Sequence, residues 1–276
     1  MGRLVQTALA ESAGGAAAGI VADTVLYAVD SAKVRSQQKA AVALSAGNIS
    51  ILFRGLGPTV MLGSVPVYGS FFLFYAPIRV TLQEHDYGHL LPVASALCAV
   101  PATVIGVPAD VLKKRLVLGI DPNVRIAISR VTAEQGMRGL FAGWHVNLVR
   151  DLPFTAIKIG FYEWFVYEWK KFNNFPIHQP ITPMGAATCG VTSGIACAVL
   201  TCPLDVINTR IKSGAPETKY IFRVGAEILK KEGFMALFHG VALRSFVLGI
   251  GSSIFWPIQQ SVAHVLQPYE CCPFTM

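Results

Sequence analysis

A short polar motif, an acid followed by a base or an amide, recurs three times along the 276-residue chain. The copies begin at Asp30, Asp110 and Asp205, at intervals of 80 and 95 residues, and each ends a long apolar stretch. A period of about one third of the chain is typical of a protein built from a repeated two-helix unit. We therefore expect a single domain of three repeats, at about residues 5–85, 88–172 and 180–268.

The apolar stretches are long enough to cross a membrane. Uncharged runs cover residues 55–78, 90–109, 179–204 and 245–263, and about 20 residues of helix cross roughly 30 Å of hydrocarbon. The chain is 53% hydrophobic and 14% charged with a mean hydropathy of +0.51, which is too apolar for an ordinary soluble domain. The repeat period predicts two further, more charged spans at residues 8–35 and 145–169. The predicted fold is all-α, with six membrane-crossing helices.

Each repeat has a second, glycine-containing motif in its later half. Residues 232–240 show it most clearly, residues 136–143 repeat it, and residues 48–55 do so more loosely. Amphipathic segments precede these motifs, as in residues 220–231, where apolar side chains recur near helical spacing. We expect these segments to form short surface helices.

Charge and cysteine content exclude several classes of protein. The formal net charge of +7 suits basic loops near anionic lipid or an anionic solute, and no nucleic-acid-binding module is present. No nucleophile–base pair, phosphate-binding loop or metal-ligand spacing indicates an enzyme, and neither cofactor nor metal is expected. The first residues resemble neither a signal peptide nor a transit peptide, so we expect no cleaved leader. The cysteines within predicted spans are expected to be packing thiols: Cys98, Cys189, Cys197 and Cys202.

Together these motifs resemble those of the mitochondrial carrier family, over the whole chain. The family repeat reads Pro-x-Asp/Glu-x-x-Lys/Arg, then Glu/Asp-Gly, then aromatic-basic-Gly. The resemblance implies a pseudo-threefold barrel of six tilted helices with short matrix-side helices, and a central cavity that opens alternately to either side. It implies a monomeric transporter in the mitochondrial inner membrane, with the plastid envelope as an alternative. It also implies cardiolipin contact near Arg54 and Gly55.

The resemblance assigns the first motif to a matrix gate, in which each acid pairs with the base of the next repeat. Pro108 and Pro203 precede two of the acids and are expected to bend their helices toward one mouth. One of the three pairs lacks a positive charge, because asparagine stands where the base is expected. The implied pairs, with a glutamine that braces one of them, are Asp30 with Lys113, Asp205 with Lys33, Asp110 with Asn208, and Gln37.

The opposite, cytoplasmic gate has lost most of its expected aromatic-acid-x-x-base pattern. The matching residues are Tyr75 with Arg79, Tyr162 and Glu163, and Trp256 with Gln260. We expect only Glu163 and Gln260 to hydrogen-bond across this mouth. Packing of the aromatic residues is then expected to hold the gate, and the resting state is expected to open to the cytoplasm.

Substrate contacts are expected between the gates. Counting twelve residues back from the aromatic residue of each even-numbered helix gives Gly63, Arg150 and Arg244, which we expect at similar depth. In the family this level contacts substrate. The pair Arg150 and Asp151 resembles the Arg-acid pair of carriers of zwitterions, whose carboxylate and ammonium groups need compensating charge. An alternative is that these two side chains neutralise each other.

Within the family, the chain most resembles members that carry S-adenosylmethionine. Residues 63–72, 148–154 and 248–255 carry this resemblance, together with Asp23, two turns before Asp30. It implies that Asp23 offsets the sulfonium or ammonium of the substrate and that Arg150 or Arg244 holds its carboxylate. The remaining implied substrate contacts are Gly63, Ser64, Asp151 and an adenine platform at Phe71, Phe72 or Trp144.

The expected function is therefore exchange of S-adenosylmethionine for S-adenosylhomocysteine by alternating access. A carrier of basic amino acids is an alternative, because it uses the same charges but needs no adenine platform. An alternative of another class is a transport-inactive carrier homologue with a structural or receptor role. The missing gate charges favour this last alternative, and the cavity charges argue against it.

Overall fold

The computed structural model describes residues 2–37, 56–85, 87–117, 119–141, 144–175, 181–212, 221–238 and 240–266. Within these ranges the chain is helical apart from short turns and connections, and no strand occurs. Arg54 and Gly55, the expected lipid contact, lie outside the described residues. The helices in chain order are α1 (Gly2–Gln37), α2 (Leu56–Thr59), α3 (Val65–Glu84), α4 (Leu91–Val117), α5 (Val124–Gln135), α6 (Trp144–Phe172), α7 (Pro183–Lys212), α8 (Ile221–Lys231) and α9 (Val241–Leu266).

In the described part of the chain, six long helices form a closed ring. Around it, α1 packs on α3, α3 on α4, α4 on α6, α6 on α7, α7 on α9, and α9 returns to α1. A π-helical turn, Val60–Ser64, joins α2 to α3. The predicted all-α fold with six long helices is confirmed.

Large apolar side chains lie on the outside of this ring. Leu97, Leu243 and Phe246 are each about two-thirds exposed, whereas Glu11 and Arg79 are buried. This arrangement reverses that of a soluble protein, because lipid rather than water is the outer solvent. Among the described residues five helical stretches are long and apolar enough to cross a membrane, and α6, which is richer in charges, is the sixth long helix of the ring.

The α7–α9 contact is close enough to require glycine. A Cβ atom at Gly190 would lie 2.6 Å from the carbonyl oxygen of Ser252, and one at Gly194 would lie 2.6 Å from that of Leu248. Small residues allow helix backbones to approach in this way in membranes, where association depends on van der Waals packing. The two glycines are four residues apart, so they lie on one face of α7.

Short amphipathic helices follow α4 and α7, as predicted. In the third repeat Val224 and Ile228 of α8 pack against Ile207 of α7 and Leu237, and the second repeat has an equivalent cluster between α4 and α5. The glycine that ends each short helix has a positive φ, +67° at Gly136 and +83° in the third repeat, which explains the glycine in the motif. The corresponding segment of the first repeat lies outside the described residues.

The turn between α4 and α5 is held by a buried carboxylate. Arg115 Nε donates to Asp121 Oδ2 at 2.6 Å, and Arg130 Nη1 donates to Asp121 Oδ1 at 2.8 Å. Asp121 has no exposed surface. The hydrogen bond from Arg115, with the charges of both arginines, holds the pKa of Asp121 below its ordinary value. This carboxylate therefore fixes the short helix of the second repeat to the end of α4.

We predict that Asp121→Asn lowers the Tm of the detergent-solubilised protein at pH 7 by about 2–4 °C. Because the folded-state pKa lies below the unfolded value of about 3.9, this stabilisation is present above about pH 4 and is lost as the pH falls through the folded-state pKa. Thermal unfolding as a function of pH measures the effect.

A matched control is Glu227→Gln, since Glu227 pairs with Lys231 at 2.6 Å on the exposed surface of α8 and such pairs add little stability. Equal Tm values for wild type and Asp121→Asn at pH 7 would contradict the prediction.

Candidate transport site and gates

The aromatic residues predicted for the cytoplasmic gate are buried and packed together. The rings of Tyr162 on α6 and Trp256 on α9 stack with centroids 3.6 Å apart and an interplanar angle of 4°. Gln260 Nε2 donates to the Tyr162 hydroxyl at 2.7 Å, and Tyr75 on α3 is fully buried. Stacked rings of this kind exclude water and bring α6 and α9 together at this end of the ring.

A buried charged network lies beside these rings. Arg79 of α3 forms an ion pair with Glu11 of α1, and its Nη1 atom lies 3.9 Å from Glu163 Oε1 on α6. The Tyr75 hydroxyl donates to Glu163 Oε1 at 3.5 Å, and Gln259 Nε2 of α9 donates to Glu11 Oε2 at the same distance. The network therefore connects four helices of the ring, α1, α3, α6 and α9.

Glu11 was not among the residues predicted for the gate. A signal was present, because Glu11 is the only acid in the first 22 residues, which are otherwise mostly small and apolar. The family pattern places the gate acid directly after the aromatic residue of an even-numbered helix, where Ala76 stands. The structure instead supplies the acid from the neighbouring helix.

One expectation for this gate was wrong. Gln260 hydrogen-bonds Tyr162 rather than Glu163, and Glu163 contacts Tyr75 and Arg79. In this structure the charged and aromatic residues of this mouth are buried together, so the mouth is closed here. The expectation that the resting state opens to the cytoplasm stays a prediction. The Glu163–Gln260 contact was expected because the family pattern contains no position for an acid on α1, such as Glu11.

We predict that Glu11→Gln destabilises the protein by about 3–5 kcal/mol, because it leaves the buried Arg79 guanidinium without its main counter-charge. Thermal unfolding in detergent measures the change.

The double variant Glu11→Gln/Arg79→Gln is the matched control. Removing both charges leaves no uncompensated ion, so the double variant should be more stable than the sum of the two single losses implies. Additive losses, or a wild-type Tm for Glu11→Gln, would contradict the prediction.

The residues expected to stack on adenine take part in helix packing. Phe72 is 1% exposed and contacts Phe71 edge-on at 5.2 Å and Phe255 in a stacked arrangement at 6.0 Å. Phe71 stacks on Tyr75 at 5.3 Å. Trp144, the first residue of α6, is 45% exposed. In this closed state the two phenylalanines therefore belong to the seal of the gate.

Asp23 lies where α1 meets the π-helical turn. Ser64 Oγ donates to Asp23 Oδ2 at 2.5 Å, and Ser64 is buried while Asp23 is partly exposed. Asp23 also interacts electrostatically with Lys158 of α6. The structure thus brings together two predicted substrate contacts, Asp23 and Ser64, and adds Lys158, a charge within a predicted span to which the sequence assigned no role.

Arg244 lies beside the acid of the third matrix-gate motif. It forms an ion pair with Asp205, its Nη2 atom donates to Thr201 Oγ1 at 2.8 Å, and its guanidinium lies 5.9 Å from the ring centroid of Phe154. A predicted substrate contact therefore meets a predicted gate residue. Gly63, another predicted substrate contact, also lies beside a matrix-gate motif. A Cβ atom at Gly63 would lie 3.3 Å from the Cβ of Ala109, the residue before Asp110.

Of the remaining matrix-gate residues, Lys113 and Asp110 lie in the described part of the chain. Lys113 Nζ lies 5.1 Å from the ring centroid of Tyr27 on α1, three residues before Asp30, and Asp110 and Asp151 are partly exposed. The predicted residues whose side chains lie outside the described part are Asp30, Lys33, Gln37, Arg150 and Asn208. The three matrix-gate pairs therefore stay predictions.

The cysteines in the long helices are buried free thiols, which confirms their predicted packing role: Cys98, Cys189, Cys197 and Cys202.

Comparison with known proteins agrees with this architecture. The family profile described as "Mitochondrial carrier protein" matches residues 90–172 and 179–270. The chain belongs to the mitochondrial carrier family. Members of this family are transporters rather than enzymes, and the ring of long apolar helices is that of a multi-pass membrane protein.

Several curated relatives are similar over most of their length. The chain is 32% identical over 260 residues to "S-adenosylmethionine carrier 1, chloroplastic/mitochondrial" of Arabidopsis thaliana, covering 91% of this chain and 77% of the relative. It is 29% identical to "Mitochondrial S-adenosylmethionine carrier protein" of Xenopus tropicalis, covering 87% and 90%. It is also 29% identical to "S-adenosylmethionine mitochondrial carrier protein homolog" of Drosophila melanogaster, covering 91% of each chain. The chain is therefore an organellar carrier of a small molecule.

Proposed function

We propose that this carrier exchanges S-adenosylmethionine for S-adenosylhomocysteine across an organelle inner membrane by alternating access. The observation that carries the proposal is the Asp23–Ser64 contact between the gates. A carboxylate at this depth in a membrane protein is costly unless it has a functional partner. The names of the relatives supply the substrate class.

The substrate carries a sulfonium, an ammonium and a carboxylate, and each needs compensation when it leaves water. We assign one of the two cationic groups to Asp23, whose orientation is held by the Ser64 hydroxyl. We assign the carboxylate to Arg244, because a guanidinium can bind a carboxylate with two parallel hydrogen bonds. The two residues lie on α1 and α9, which are neighbours in the ring.

Arg244 also links binding to gating in this proposal. In the structure it is paired with Asp205 of the matrix-gate motif. A substrate carboxylate that binds Arg244 competes with Asp205, which is then free to pair with the matrix-gate base Lys33. Substrate would thus favour the state with the matrix mouth closed, as alternating access requires.

A carrier of basic amino acids is the second candidate function. The observation that favours it is the packing of Phe71 and Phe72 into the gate seal, which leaves Trp144 as the exposed aromatic residue of the three assigned to adenine. Asp23 and Arg244 would bind an amino-acid substrate in the same way. For either function we propose a monomer, because one chain contains the whole ring, and cardiolipin contact near Arg54 and Gly55.

We predict that purified protein in liposomes preloaded with S-adenosylhomocysteine takes up labelled S-adenosylmethionine saturably, and that Asp23→Asn reduces kcat/KM about 10- to 100-fold. This range corresponds to loss of one charge-assisted contact. Asparagine retains an acceptor for the Ser64 hydroxyl, so the variant removes the charge and little else.

Glu227→Gln on exposed α8 is the control for a lost carboxylate and should leave uptake unchanged. Wild-type uptake by Asp23→Asn would contradict the role of Asp23. Exchange of arginine or lysine without exchange of either nucleoside would replace the first proposal by the second.

A further inference from the structure

Lys158 projects across the interior of the ring. It lies on α6, whose neighbours in the ring are α4 and α7. Its Nζ atom nevertheless lies 5.8 Å from the ring centroid of Phe255 on α9, and its charge acts on that of Asp23 on α1. A side chain of α6 reaches α9 only through the space that the ring encloses.

Lys158 lies next to the closed cytoplasmic gate, on the side of the gate that faces the middle of the ring. Tyr162, which stacks on Trp256 in the gate, lies four residues later, one helical turn or about 6 Å along the axis. Phe154, whose ring faces the Arg244 guanidinium, lies one turn earlier. Lys158 therefore lies between the gate and the region where we assign the substrate carboxylate.

The lipid-facing side of α6 lies opposite the side that carries Lys158. Val149 and Trp164 are 67% and 49% exposed, and Pro153 is also exposed, whereas Lys158 is partly buried. At about 100° per residue, Pro153 and Lys158 point roughly 140° apart on the helix. An ammonium group in the middle of a membrane-crossing helix is expensive and is usually retained for a function in a wet interior.

The charge of Lys158 opposes that of Asp23, the residue to which we assigned the cationic end of the substrate. If Asp23 acted alone, the cavity would prefer substrates with a net positive charge. The Lys158 ammonium group, which points into the same interior toward Phe255, reduces that preference, because it repels the same substrate cation in a low-dielectric environment. A substrate with balanced charges is affected less.

We infer that Lys158 sets the charge selectivity of the cavity, favouring a zwitterion with no net charge over a net cation. The inference rests on the proposed function, and it deepens it. S-adenosylmethionine carries a net positive charge, whereas S-adenosylhomocysteine has lost the sulfonium and has none. The carrier therefore binds the demethylated product at least as tightly as the methyl donor, which favours return of the product in exchange.

The test is competition between the two nucleosides during exchange into liposomes. We expect Lys158→Gln to shift the ratio of kcat/KM values toward S-adenosylmethionine by at least tenfold, since it removes the repelling charge. Lys158→Arg keeps the charge and should keep the wild-type ratio. Lys230→Gln, which removes a lysine from exposed α8, should also leave the ratio unchanged.

An unchanged ratio in Lys158→Gln, or the same shift in Lys158→Arg, would overturn the inference while leaving the proposed function in place. Arginine and citrulline provide a second pair that differs by one positive charge and contains no adenine. If wild type exchanges this pair and neither nucleoside, the proposed function fails. A shift toward arginine in Lys158→Gln then supports the role of Lys158, and no exchange of either pair overturns both.

Discussion

A buried arginine in the membrane-crossing part of a protein requires negative charge beside it, and the arrangement of this ring at one end follows from how Arg79 meets that requirement. Glu11 supplies the charge from α1, Glu163 lies within 4 Å on α6, and Gln259 of α9 completes the set. Breaking such a pair on one side leaves an ion in a low-dielectric interior, which is more costly than the pair is stabilising. These helices must therefore meet here when the gate is closed.

The same interaction suits a gate that opens and closes, as the proposed alternating access requires. A closed mouth sealed only by stacked aromatic rings would depend on packing that is lost gradually as the helices separate. An ion pair with hydrogen-bonded neighbours has two distinct arrangements, one dry and paired, the other open to water, where each ion is hydrated. Arg244 and Asp205 form a second ion pair toward the matrix motif, so each end of the ring contains a paired acid and base.

Much of the fold could be predicted from the sequence. The repeated acid-base motif and the uncharged runs gave the number of long helices, and the amphipathic segment before Gly233 gave the short helix α8 to within one residue. For the gate, the sequence located Tyr75, Tyr162 and Trp256, because the family pattern fixes their spacing. Glu11 was not predicted, and Lys158 was expected as a charge within a span but was given no role. Each is a single charge in an apolar run, and no repeat or spacing distinguishes it from a residue at a helix surface.

The sequence by itself determined the membrane class, the repeat and the family, because hydropathy, period and motif spacing are properties of the linear chain. The tertiary structure alone decided the partners: that Arg79 pairs with Glu11, 68 residues away, that Gln260 binds Tyr162, and that Lys158 shares the interior with Asp23. The physical reason is that ring closure brings side chains of distant helices within hydrogen-bonding reach, while the choice among acids for one buried base depends on distances that no local pattern encodes.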